Sequence, residues 1–140
     1  MKTNRPFSAA LERLRAAGLR PTRQRLALTR LLYSDGDRHV TAESLHKEAM
    51  ANQVQVSLAT VYNTLHQFTE AKLLREVVVD STRSYFDTNT SHHHHFFCEE
   101  SQQLMDIPGG SMRVENLPAP PHGTAVRRID VVVRVGPPES

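Results

Sequence analysis

Cysteine occurs once in this chain, at Cys98. A lone cysteine excludes an intrachain disulfide framework and a four-cysteine zinc site built within one chain. Long apolar runs are missing too, and the opening Met-Lys-Thr-Asn-Arg-Pro lacks the apolar stretch of a signal peptide. The expectation is a soluble cytoplasmic chain with no membrane partner. No internal repeat and no long low-complexity linker breaks it up. At 140 residues it is one ordinary domain or two very small ones.

The net charge of +2 hides an asymmetry. Residues 1–40 carry Lys2, Arg5, Arg13, Arg15, Arg20, Arg23, Arg25, Arg30 and Arg38 against Glu12, Asp35 and Asp37. The remainder is therefore acidic. A basic region joined to an acidic one points to a polyanion partner at one end. A solvated helix face carries such charge as well, and charge alone does not choose.

The first half has helical periodicity. Ser8 can cap a helix carrying Ala10, Leu11 and Leu14, with Gly18 as its stop. Thr22 can cap a second with Leu28, Leu31 and Leu32, ended by Ser34-Asp35-Gly36-Asp37. Thr41 can cap a third with Ala42, Leu45 and Ala49. Ser57 can cap a fourth whose buried stripe is Leu58, Val61, Leu65 and Phe68. The period then changes to β-branched Leu73–Val79, a turn at Asp80-Ser81-Thr82-Arg83, and Tyr85-Phe86. Short helices followed by a hairpin outline a winged helix-turn-helix.

On that outline the fourth helix would be the reading helix. A polar helix face is more often merely solvated, but the order helix–turn–helix–hairpin and the basic flank favour DNA. Ala59, Asn63 and His66 occupy the outer side of this helix, with Thr60 and Gln67 alongside and Tyr62 at the flank. Such groups hydrogen-bond base edges or pack on a thymine methyl. Ser57 puts the helix N-terminus near a phosphate, and Arg20, Arg23 and Arg25 suit backbone phosphates.

Residues 92–95 read His-His-His-His and run into Phe96-Phe97-Cys98. Imidazole is the commonest protein metal ligand and an axial ligand of haem iron. On an extended strand His93 and His95 share one face, and His92 and His94 the other. The last strand alternates likewise, with Ile129, Val131, Val133 and Val135 opposite Arg128, Asp130, Val132 and Arg134. Its apolar side can close a small sheet with Phe96–Cys98 and Gln103–Met105, and the remaining apolar surface invites a partner. Pro118-Ala119-Pro120-Pro121 is a stiff connector, and 108–115 is too rich in glycine for a long helix.

Gly18-Leu19-Arg20-Pro21-Thr22-Arg23-Gln24-Arg25, His39-Val40-Thr41-Ala42-Glu43, Leu58-Ala59-Thr60-Val61-Tyr62-Asn63-Thr64-Leu65 and the histidine run together resemble the ferric uptake regulator family. The resemblance spans roughly residues 10–135 and is most similar to the iron response regulator branch. It implies a cytoplasmic, homodimeric, metal-responsive DNA-binding repressor. The family's interdomain metal positions fall on His39, Asp87, His93 and His95. Three imidazoles and a carboxylate suit Zn²⁺, Fe²⁺ or Mn²⁺. Positions of the family's second regulatory site fall near Arg113 and Ile129, which are not ligands, and the paired Cys-x-x-Cys motifs are absent. His92 and His94 thus lose their usual partners, and the branch implies haem as signal. Phe96 and Phe97 could cover a porphyrin beside them. The haem candidates are His92, His93, His94, His95, His46 and His66.

The expected fold is α+β, with an N-terminal winged helix-turn-helix DNA-binding domain over 1–90. A small α/β dimerisation and metal- or haem-sensing domain follows over 91–140. The expected function is an iron-responsive, haem-modulated transcription regulator of iron and haem metabolism genes, a repressor that can also activate. As a homodimer it binds a palindromic operator in double-stranded DNA through Arg20, Arg23, Ser57, Ala59, Thr60, Tyr62 and Asn63. A direct Fe-, Mn- or Zn-sensing repressor is the nearest alternative. A histidine-cluster metalloenzyme or a metal-storage protein is the alternative of another class. An enzyme also needs an open coordination position and a placed general base, and Glu99 and Glu100 are not aimed as one.

Overall fold

The structure, a computed structural model, describes residues 8–138. Lys2 and Arg5 of the basic segment lie outside them. The chain divides into two compact units on either side of the Thr90–Ser91 bond.

The first unit contains α1 (Ser8–Ala16), α2 (Arg23–Tyr33), β1 (His39–Val40), α3 (Ala42–Ala51), α4 (Leu58–Glu70), β2 (Arg75–Asp80) and β3 (Arg83–Asp87). Each cap does local chemical work. The Arg25 amide donates to Thr22 Oγ1 at 3.2 Å. Thr41 and Ser44 form a reciprocal capping box at 3.0 and 2.9 Å. The Thr60 amide donates to Ser57 Oγ at 3.1 Å. Ser8 is the first helical residue of α1 rather than its cap. Gly18, at φ +75°, takes the left-handed turn that stops the chain from continuing as helix.

Leu14, Leu28, Leu32, Leu45, Leu65 and Phe68 meet in one core with Val40 and Phe86 from the sheet. Leu58 does not join them. It is 37% exposed, because the core stops one turn short of the α4 N-terminus and the buried stripe is Val61, Thr64, Leu65 and Phe68. The α4 cap should matter to stability. Ser57→Ala is expected to cost about 1 kcal/mol, the usual cost of a lost N-cap. Denaturant unfolding checks it, and an unchanged midpoint would show the cap to be idle.

The strands form an antiparallel sheet in the order β1-β3-β2. Its hairpin is closed by Asp80, which accepts from the Thr82 amide at 2.9 Å and from Arg83 Nη2 at 2.6 Å. These donors, the Arg83 guanidinium first, hold the Asp80 carboxyl well below the usual carboxylate range.

The second unit contains β4 (His95–Cys98), β5 (Gln103–Asp106) and β6 (Val132–Val135), in the order β5-β4-β6. β4 and β5 form an antiparallel hairpin, and β6 returns parallel to β4. Regular structure in this unit is entirely strand among the described residues, and 107–131 forms no helix. One sheet face buries His95, Phe97 and Leu104. The other carries Phe96 with its registered neighbours Met105 and Val133. Met105 is 43% exposed, and Phe96, Val133 and Val135 are half-buried. No helix among the described residues is long and apolar enough to cross a membrane.

Candidate functional site

In the first unit, His39 and Asp87 face each other across β1 and β3. His39 Nε2 lies 3.1 Å from Asp87 Oδ2, and Asp87 is fully buried. The second carboxylate oxygen accepts from the Asn89 amide at 2.9 Å. The approach to His39 is fixed from both sides. The Arg38 amide donates to Thr88 Oγ1 at 2.9 Å, and the Arg38 guanidinium grips Glu48 of α3 through two bonds of 2.9 and 2.7 Å. A buried carboxylate is costly unless cations or donors compensate it.

In the second unit, His93, His95 and Asp106 come together, with ligand atoms within 4.8 Å of one another. His95 and Asp106 are a cross-strand pair. His93 Nε2 lies 3.2 Å and His95 Nε2 3.4 Å from the same oxygen, Asp106 Oδ1. The His93 Nδ1–H donates to the Ser91 carbonyl at 2.7 Å. That bond fixes the tautomer, so a neutral His93 turns an Nε2 lone pair toward a carboxylate. Lone pair against anion is repulsive unless a cation stands between them or the ring is protonated. This donor set, largely buried and rich in nitrogen and oxygen, fits a divalent metal.

Asp106 escaped the sequence reading. The signal was there, because a four-residue turn at 99–102 places residue 95 opposite residue 106. Alternation within the histidine run does hold for burial: His93 and His95 are buried, His94 is half-buried and His92 is exposed.

The haem candidates fare unequally. His92 and His94 line a cleft of about 210 Å³ with Ile107, Pro108 and Met112, their rings 5.4 Å apart. His94 Nδ1 accepts from the Val131 amide at 3.2 Å. A neutral His94 therefore carries its proton on Nε2 and offers an N–H, not a lone pair. Phe97 cannot cover a porphyrin, since it is fully buried, and Phe96 is half-buried on the opposite sheet face. His46 Nε2 donates to the Val56 carbonyl at 3.0 Å, which makes it a strut between α3 and the turn before α4. His66 packs edge-on against Phe86 at 5.6 Å and lies along Tyr62 at 6.5 Å.

On α4, Ala59, Tyr62, Asn63, His66 and Gln67 are exposed, Thr60 is half-buried, and Ser57 is exposed at the cap. Arg20 and Arg23 are exposed beside the α2 N-terminus. Arg25 has an internal task instead. It donates to the Arg20 carbonyl and to Gln67 Oε1, both at 2.9 Å, tying that loop to α4. The Tyr62 hydroxyl donates to Glu43 Oε2 at 2.7 Å.

Residues 16–125 match the model of the Ferric uptake regulator family. The chain belongs to the ferric uptake regulator family. That places it in a family of regulators rather than among enzymes. Relatives include a peroxide-responsive repressor, PerR, of Staphylococcus aureus, 34% identical over 94 residues. The match covers 67% of this chain and 63% of that relative, so it spans somewhat under two thirds of the relative's length. The same fold occurs in the ferric uptake regulator from Pseudomonas aeruginosa with manganese, at a TM-score of 0.68 and 24% identity, covering 93% of this chain and 98% of that one. It also occurs in the Vibrio cholerae ferric uptake regulator, at a TM-score of 0.69 and 21% identity, covering 89% and 97%. In this family member, the positions expected for a second regulatory site hold no ligand. Arg113 pairs with Glu115, and Ile129 is a half-buried aliphatic.

Proposed function

We propose that this chain is a divalent-metal-responsive DNA-binding transcription repressor, acting in the cytoplasm as a homodimer on a palindromic operator. The observation that carries the reading is the convergence of His93 and His95 on one oxygen of Asp106, with the His93 tautomer fixed for ligation. We assign the metal to His39, Asp87, His93 and His95, and add Asp106. Fe²⁺, Mn²⁺ and Zn²⁺ all suit this donor set. A bound ion supplies the positive charge that lets buried carboxylates and lone pairs meet. Residues 1–90 then read DNA, and residues 91–140 sense and dimerise.

For the DNA face, Arg20 and Arg23 meet phosphates, Ser57 places the α4 N-terminus, and Ala59, Thr60, Tyr62 and Asn63 meet base edges. Tyr62→Ala is expected to weaken binding to the preferred sequence by about 1–3 kcal/mol and leave random DNA alone. Arg20→Ala should weaken both alike and reduce the salt slope by about 1. Titrations at several salt concentrations separate the two. Equal specific affinity for Tyr62→Ala and wild type would remove Tyr62 from the interface.

A second reading, haem modulation in the manner of the iron response regulator branch, is favoured by one observation. His92 is exposed at a cleft that Met112 also lines, and imidazole and thioether are both axial ligands of haem iron. His92→Ala should then remove the Soret band that ferric haem develops on titration. A band that survives His92→Ala and disappears with His93→Ala would move haem to the metal ligands.

A further inference from the structure

Glu43 stands where a DNA-binding protein has least use for a carboxylate. It is exposed in the first turn of α3, and its Oε2 receives the hydroxyl of Tyr62, exposed on the outward face of α4, at 2.7 Å. A hydrogen bond to an ionised oxygen is among the strong ones. One helical turn on, the His66 ring lies nearly parallel to the Tyr62 ring, at 17° and with centroids 6.5 Å apart. Tyr62 is 38% exposed, yet its hydroxyl is held by Glu43 and its ring lies alongside that of His66. A solvent-facing tyrosine gains little stability from such an arrangement. A tyrosine that must meet a base in one orientation gains a great deal, because its side-chain ordering is done before binding. The cost falls elsewhere, since a carboxylate near phosphates repels every DNA sequence equally.

We propose that Glu43 is a positioning residue that pre-orients Tyr62 for base reading, giving up overall DNA affinity for sequence discrimination. This rests on the assignment of α4 as the reading helix. Glu43 itself contacts no base. Its carboxylate oxygen sets the Tyr62 hydroxyl, and its charge lowers the affinity for all duplexes.

The test uses the full-length, metal-loaded chain and two probes. One is the duplex that the wild type enriches from a randomised library, and the other is a random duplex of equal length. Glu43→Gln keeps an acceptor for the hydroxyl and removes the charge. It should bind both probes more tightly and leave their ratio unchanged. Glu43→Ala removes acceptor and charge. It should bind the random duplex more tightly while the ratio falls about 5-fold, the lower end of one base contact. Tyr62→Phe should lower the ratio by a similar factor without tightening random binding. A ratio that Glu43→Ala leaves at the wild-type value overturns the proposal, and so does a Glu43→Gln ratio as low as that of Glu43→Ala. A wild type that enriches nothing overturns the DNA-reading assignment itself, and the role of Glu43 with it.

Discussion

His95→Ala should remove the divalent metal. His95 is 1% exposed and aims Nε2 at Asp106 Oδ1 beside His93. Replacing a residue that only supports a metal ligand costs roughly 10–100-fold in affinity, so losing the ligand itself should cost more. Direct titration of the metal-free chain with Mn²⁺ or Zn²⁺ reads the effect. Asp106→Ala should produce a comparable loss, which is the sharper demand because Asp106 is 40% exposed at its side chain and structurally undemanding. Protons compete with metal for imidazole nitrogen, so wild-type affinity should fall as the solution is acidified. Full affinity in both alanine variants would dissolve the assignment.

Val133→Asp should break the proposed dimer while leaving a folded monomer. Val133 sits beside Phe96 on the sheet face that also carries Met105, and all three retain solvent contact within one chain. A charge there is tolerated while the face is wet. Pressed against a second copy, it becomes an unpaired charge in apolar surroundings, which costs several kcal/mol in the absence of a partner, roughly 3 or more. Sedimentation should show monomer at concentrations where wild type is dimeric, and thermal unfolding should stay cooperative. A monomer also presents one reading helix instead of two, so palindrome binding should weaken. A stable Val133→Asp dimer would place the contact on another surface.

What the sequence made legible is mostly what is local. Thr22, Thr41 and Ser57 announce their helices because an N-cap is satisfied within three residues. The β2–β3 hairpin follows from its turn residues. His93 and His95 separate from His92 and His94 because alternation needs no tertiary information. What was missed depends on partners distant in sequence. Asp106 becomes a ligand candidate once the four-residue turn at 99–102 is used to set the β4–β5 register, a long step from the histidine run itself. Leu58 has the apolar spacing of a core residue, but its turn projects beyond the core. Phe97 and His46 looked available for haem until the sheet buried one and the Val56 carbonyl engaged the other. Arg25 looked like its neighbours Arg20 and Arg23, yet Gln67 of α4 claims it. The resemblance put His39 and Asp87 in one proposed ligand set, and the β1–β3 register sets them 3.1 Å apart.

Metal dependence of sequence-specific DNA binding is the most direct test. The full-length chain would be titrated against the duplex it enriches from a randomised library, first with Mn²⁺ and then with the metal removed by a chelator. The expected result is tight, specific binding with metal, its loss on chelation, its return on adding Mn²⁺ back, and no metal response in His95→Ala. Equal specific affinity with and without metal would contradict the central claim.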